Sequence, residues 1–263
     1  MLRAVRRGGR QPRLLRLTRI PAMDARLARA ATAEAVGTAL LVAIVVGSGI
    51  FAERLSPDDV GLQLLQNSTA TALGLAALIM AFGSVSGAHF NPVVTLVDRL
   101  LGGVSTGTAV VYAVAQTLGA CAGAVVANVM FELDAVNIST RDRSSAALWL
   151  SEVVATFGLL TVILGLARRG RIALAPFAVG GYIGAAYWFT SSTSFANPAA
   201  TVGRTLSDTF AGIEPASVPA FVVAQVLGAL LALALAIFLH PARSGDTVEL
   251  VVPHENLEES RHG

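Results

Sequence analysis

Lysine is missing from this chain: all 19 basic residues are arginine, so arginine alone marks its positive regions. Cysteine is nearly missing too. The one copy, Cys121, can form neither an internal disulfide nor a thiolate metal cluster, which argues against redox chemistry. Charged residues are scarce, 14% of 263 against 54% hydrophobic, and the mean hydropathy of +0.66 is that of a membrane protein. No nucleophile with an acid–base partner and no convergent His, Cys or carboxylate set stands out along the chain. An enzyme, a metal site, a cofactor and a nucleic-acid partner are therefore all unexpected.

What is present is six long apolar runs, at about 31–51, 69–87, 108–131, 146–167, 172–189 and 218–240. A helix needs about 20 such residues to cross the hydrocarbon core. Residues 26–240 are thus expected to form one bilayer-embedded domain. Residues 1–25, rich in Arg, and 241–263 are polar tails that cannot bury enough apolar surface to fold alone. Nine arginines fall within 3–29, and Arg168, Arg169 and Arg171 separate runs four and five. Glu53, Asp58 and Asp59 follow run one, against Arg54. The arginine bias predicts a cytoplasmic N-terminus, and six spans return the C-terminus to the same side.

The runs repeat. Glu34 and Thr38 in run one match Glu152 and Thr156 in run four. His89-Phe-Asn-Pro-Val93 after run two matches Phe195-Ala-Asn-Pro-Ala199 after run five, and Gln116 in run three matches Gln225 in run six. The order Glu, Asn-Pro, Gln recurs at separations of 118, 106 and 109 residues, which chance similarity of apolar helices would not preserve. Repeat one spans about 31–131 and repeat two about 146–240. Each holds three crossings, an odd number, so the second copy must run upside down through the membrane, an inverted-topology repeat.

Asn is a preferred N-cap and Pro is favoured at the first helical position, so Asn91-Pro92 and Asn197-Pro198 each start a helix. Each helix is predicted to run about ten residues, 91–100 and 197–206, or ~15 Å at 1.5 Å per residue, half a crossing. The expected fold class is an all-α membrane protein with six transmembrane helices plus two half-spanning re-entrant helices. Inverted half-helices meet N-terminus to N-terminus near the midplane, where positive dipole ends repel cations and two Asn amides can donate to a neutral solute. Exposed backbone at that depth is tolerable only against a wet cavity, which independently argues for a pore.

The sequence resembles the major intrinsic protein family, the aquaporins and aquaglyceroporins. Ser86-Gly-Ala-His-Phe-Asn-Pro-Val93 is similar to the family's first signature, with Val93 in place of its usual Ala, and Phe195-Ala-Asn-Pro-Ala199 to the second. The likeness extends over 31–240. It implies a channel, usually tetrameric, with one pore per subunit and a second constriction outside the Asn-Pro pairs. Counting from the asparagines places that constriction at Thr71, Ala185, Ser194 and Ala200, with Leu73 as the alternative to Thr71. The aromatic, the His and the Arg usual in the family are then all absent, implying a wide ring without fixed charge. The stretch 195–213 is similar to bacterial members associated with arsenic resistance. That likeness implies arsenite or methylated arsenicals as solutes, possible glycerol and water passage, and a bacterial inner membrane.

Other polar residues admit plainer roles. In the family the carboxylates matching Glu34 and Glu152 brace the loops that feed the half-helices; proton coupling in a secondary transporter is the alternative. Gln116 and Gln225 are expected to bond across helices. His89 is expected to fix its loop or accept hydrogen bonds at the pore. Arg204 has two options, supplying charge at the outer mouth or snorkelling to the interface, and the second is the expectation. Gly83 with Gly87, Gly119 with Gly123 and Gly180 with Gly184 are expected to permit close helix packing. Tyr187, Trp188 and Phe189 are expected in an interfacial belt.

Overall fold

The computed structural model describes residues 24–239; the Arg-rich start, His240 and the C-terminal stretch lie outside the described residues. Eight α-helices follow one another there: α1 (Ala25–Leu55), α2 (Val60–Ser86), α3 (Pro92–Leu101), α4 (Thr106–Met130), α5 (Ala146–Arg168), α6 (Ala175–Phe189), α7 (Pro198–Gly203) and α8 (Val218–Leu239). By length and composition six segments can cross a membrane: α1, α2, α4, α5, α6 with its leading 3-10 turn, and α8 with its own. The short α3 and α7 are the half-helices.

Local chemistry sets the ends. Asp24, Asp59, Ser105 and Ser145 cap α1, α2, α4 and α5 by accepting a backbone N–H from the first turn, which supplies a partner that the helix itself lacks. Gly87 ends α2 in the left-handed region at φ 85°, where a Cβ would be strained, and so serves as its cap. Exposed side chains such as Leu73, Val223 and Phe238 are apolar, as a lipid-facing surface requires.

The repeats pack in the same way. α1 lies against α4, and α5 against α8. A Cβ on Gly119 or Gly123 would come within 2.2 or 2.1 Å of the Ala35 or Ala39 carbonyl oxygen, and one on Gly228 within 2.4 Å of the Val153 carbonyl oxygen. These three glycines let backbone approach backbone, which is how apolar helices gain packing energy in a lipid environment. Gly180 does the same for α6 against the Ala72 carbonyl of α2, and Gly184 makes room for the Ala72 Cβ. The half-helices differ from one another. α3 has ten residues, whereas α7 has six and tightens into a 3-10 turn over Arg204–Leu206, with Gly203 pressed on the Ala120 backbone.

Candidate pore and its outer constriction

Two buried carboxylates organise the centre. Glu34 accepts from the Ser86 hydroxyl (2.6 Å), the His89 N–H (3.0 Å), the Phe90 N–H (2.7 Å) and the Gln116 amide (2.7 Å). Glu152 accepts from the Phe195 N–H (2.9 Å), the Ala196 N–H (2.8 Å) and the Gln225 amide (2.6 Å). Each Gln also donates to a threonine of its half-helix, Gln116 to Thr95 and Gln225 to Thr201. The bracing fixes loops that contain strain: Ala88 and Phe90, and at matching positions Ser194 and Ala196, all have φ between 47° and 51°. Left-handed non-glycine residues cost about 1–3 kcal/mol each and persist only when neighbours over-determine them. Here the buried carboxylates supply that constraint.

The asparagines cap their helices and cross between repeats. Asn91 Oδ1 accepts from Val93 N, and Asn197 Oδ1 from Ala199 N and Ala200 N. The Asn91 amide donates to the Ala196 carbonyl (2.7 Å), and the Asn197 amide to the Phe90 carbonyl (2.8 Å). An amide carries two donor hydrogens, so one on each Asn remains for a solute. Pro92 and Pro198 stand at the first helical positions, while Val93 and Ala199 pack into the core.

A cavity runs past both asparagines. Thr71, His89, Ser194, Ala200 and Arg204 line it, together with an apolar wall from α1, α2, α5 and α6 that includes Leu41, Leu75, Leu159 and Ile183. A solute there meets both hydrogen-bonding groups and hydrocarbon. Leu73, 69% exposed, points away, leaving Thr71 as the α2 member.

Three expectations need correction. Ala185 is exposed and takes no part in the cavity; Tyr187, 3% exposed, does, and its hydroxyl lies 3.3 Å from the Thr71 hydroxyl. Two residues along a helix turn the side chain ~200°, so Val179, Ile183 and Tyr187 share the inner face that Ala185 avoids. Tyr187 accordingly leaves the interfacial belt, although Trp188 and Phe189 are exposed beside it. Arg204 does not snorkel. It is 3% exposed, lines the cavity and donates from Nε to the Ala211 carbonyl, its guanidinium carbon 3.3 Å from the centroid of the Phe195 ring. The ring is thus neither free of charge nor free of an aromatic.

Sequence reasoning missed Arg143. It sits in the loop between α4 and α5, 8% exposed, and donates to the Gly212 and Ser192 carbonyls at 2.9 and 3.2 Å. Its guanidinium is 4.9 Å from the same Phe195 ring, so two cations share one aromatic. Burial, then the neighbouring Arg204 and Arg141 charges, pull Arg143 down to about 9, which still leaves it charged at neutral pH. A signal was available: Arg141-Asp-Arg143 is a basic pair in the connection between two apolar runs.

His89 lies in the first-repeat loop, Nδ1 3.0 Å from the Thr95 hydroxyl and Nε2 3.7 Å from Asp98. It both fixes the loop and borders the cavity.

The model of the major intrinsic protein family matches residues 22–194. The aquaglyceroporin AqpS of Rhizobium meliloti is 50% identical over 218 residues, covering 82% of this chain and 93% of that protein. The probable aquaporin AqpM of Archaeoglobus fulgidus is 29% identical over 238 residues, 80% of this chain and 96% of the other. Among solved structures, the aquaglyceroporin from Plasmodium falciparum superposes with a TM-score of 0.62 at 20% identity, over 80% of this chain and 95% of that one, which shows a shared fold.

Proposed function

Because the chain belongs to the major intrinsic protein family and so forms a passive membrane channel, not an enzyme, we propose that it conducts small uncharged polyhydroxy solutes. Arsenite or methylated arsenicals come first in this reading, then glycerol and water. One observation carries it: Ala200 stands on the cavity wall at a position where a large side chain would narrow the passage, beside the hydroxyls of Thr71, Tyr187 and Ser194. Hydroxyls both donate and accept, so they can replace the hydration of a neutral trihydroxy compound. The 50% identical AqpS, an aquaglyceroporin by name, supports a glycerol-sized permeant. Arsenic rests on the likeness of residues 195–213 to arsenic-resistance channels.

A water-selective channel is the second reading, and Tyr187 with Arg204 favours it by restoring bulk and charge at the mouth. Shrinkage and reswelling of proteoliposomes in arsenite, glycerol and water gradients decide between them. Permeation by arsenite and glycerol supports the wide passage; rapid water flux with both excluded overturns it. A secondary transporter finds less support, since Glu34 and Glu152 are occupied in bracing and neither borders the cavity. On this reading the α4–α5 loop faces the outside of a bacterial inner membrane, both termini are cytoplasmic, and four copies assemble with one pore each.

A further inference from the structure

The α4–α5 loop face carries a second device that conduction of neutral solutes does not require. Three consecutive carbonyl oxygens, of Phe210, Ala211 and Gly212, each take a hydrogen bond from a different guanidinium: Arg141, Arg204 and Arg143 respectively. This gathers three cations at one mouth. Among the described residues none of the three makes an ion pair within 4 Å of a carboxylate. Carboxylates on the same face accept hydrogen bonds from neutral donors: Asp142 from Ser144 and Ser217, Asp208 from Ser139 and Thr140, and Glu53 from the Phe210 N–H.

Asp142 lines a vestibule together with Arg141 and Arg143, and Glu152 acts on Arg143 and Arg204 through space, so the three guanidiniums are compensated in part; partly buried ones repel one another with little screening. Backbone carbonyls offset that only in part. Each guanidinium has five N–H donors, and the carbonyl bonds take one from Arg141, one from Arg204 and two from Arg143. That vestibule is lined by Arg141, Asp142, Arg143 and Phe210, and Arg204 lines the pore cavity together with Phe195, the ring that Arg143 also approaches. Ser194 Oγ, in a residue 3% exposed, borders that cavity without any hydrogen-bond partner. Guanidinium donors not taken by the carbonyls, and an unsatisfied hydroxyl on Ser194 next in sequence to Phe195, match the needs of a small multi-oxygen anion.

We propose that Arg141, Arg143 and Arg204 form a binding site for a small oxyanion of the phosphate or sulfate type, and that its occupancy plugs the passage from the α4–α5 loop face. The anion neutralises the cluster and places its oxygens where a neutral solute would enter. The phosphate group of an anionic lipid offers the same chemistry.

The test uses the purified full chain. Inorganic phosphate is titrated calorimetrically into the detergent-solubilised protein, with Arg141→Gln and Arg143→Gln in parallel; this reading is independent of which solute the channel conducts. Saturable binding that weakens at least about tenfold in either variant, about 1.4 kcal/mol, is expected. Arg141 is exposed, so its variant keeps the fold available for the test even if Arg143→Gln is unstable. Water flux is then followed in phosphatidylcholine vesicles and in vesicles containing phosphatidylglycerol, with phosphate against chloride at equal ionic strength. Slowing by phosphate in both vesicle types assigns the site to a free oxyanion. Slowing in phosphatidylcholine alone assigns it to a lipid phosphate already in place. No saturable phosphate binding, equal slowing by chloride, or unchanged binding in both variants overturns the proposal.

Discussion

Asp98 and Arg204 stand at the same place in the two repeats, seven residues beyond Asn91 and Asn197, with opposite charge. Each meets the ring two residues before its own asparagine: Asp98 Oδ2 lies 3.7 Å from His89 Nε2, and the Arg204 guanidinium lies over Phe195. Duplication kept the position and the ring while the charge diverged. Arg204 lines the cavity, whereas Asp98 is buried beside His89 outside its lining, so of the two positions only the second brings its charge to the passage.

Arg204→Ala removes the cation nearest the cavity. We expect the ratio of glycerol to water permeability, measured by stopped-flow light scattering, to rise about tenfold, the equivalent of ~1.4 kcal/mol in the barrier. An unchanged ratio would mean that Arg204 borders the cavity without limiting it.

Ala200→Arg works in the opposite direction. A long side chain on the wall between Asn197 and Arg204 should suppress arsenite and glycerol flux while water persists, because only the larger solutes need the lost width. Equal permeation of glycerol in variant and parent would place the constriction elsewhere.

Tyr187→Ala separates two accounts of selectivity. If the Tyr187 ring and its contact with Thr71 narrow the passage, the variant admits larger polyols than the parent does, whereas Ala185→Phe, on the exposed side of the same helix, changes no permeability. Swelling assays across a polyol size series read both.

Glu152→Ala leaves the Phe195 and Ala196 N–H groups and the Gln225 amide without their acceptor. Each buried unsatisfied donor costs about 1–3 kcal/mol. A marked fall in the thermal midpoint in detergent is expected, with lost flux in whatever protein survives. A variant as stable as the parent would remove the bracing role.

Gly123→Leu forces a side chain into the Ala39 carbonyl, which a Cβ alone would approach to 2.1 Å. Separation of α1 from α4 should abolish the folded channel, visible as aggregation in size-exclusion chromatography. Leucine at Gly165, where a Cβ meets nothing within 4 Å, is the matched control and should be tolerated.

The sequence made the repeat legible because Glu34, Asn91 and Gln116 are polar residues in apolar surroundings, and such residues stand out at whatever spacing they recur. The constriction was less legible for a different reason. Counting twelve back from Asn197 assumes a fixed path between α6 and the half-helix, whereas the inner face of α6 follows Val179, Ile183 and Tyr187 at helical spacing. Arg204 was misread because straight-helix geometry was extended past Gly203, where the chain tightens into a 3-10 turn. Arg143 reaches the Phe195 ring from a loop without regular structure, so no periodicity announces it.

The crossed bonds from Asn91 to Ala196 and from Asn197 to Phe90 have a consequence for biosynthesis. A nascent chain that has inserted its first three spans holds an asparagine whose acceptor, 105 residues downstream, has not yet been translated. The first half-helix is braced within its own repeat by Glu34 and Gln116, but its asparagine gains this partner only when the second half-helix is in place. Completion of the pore is thus a single late event shared by both halves, and neither half alone can make a finished conduit.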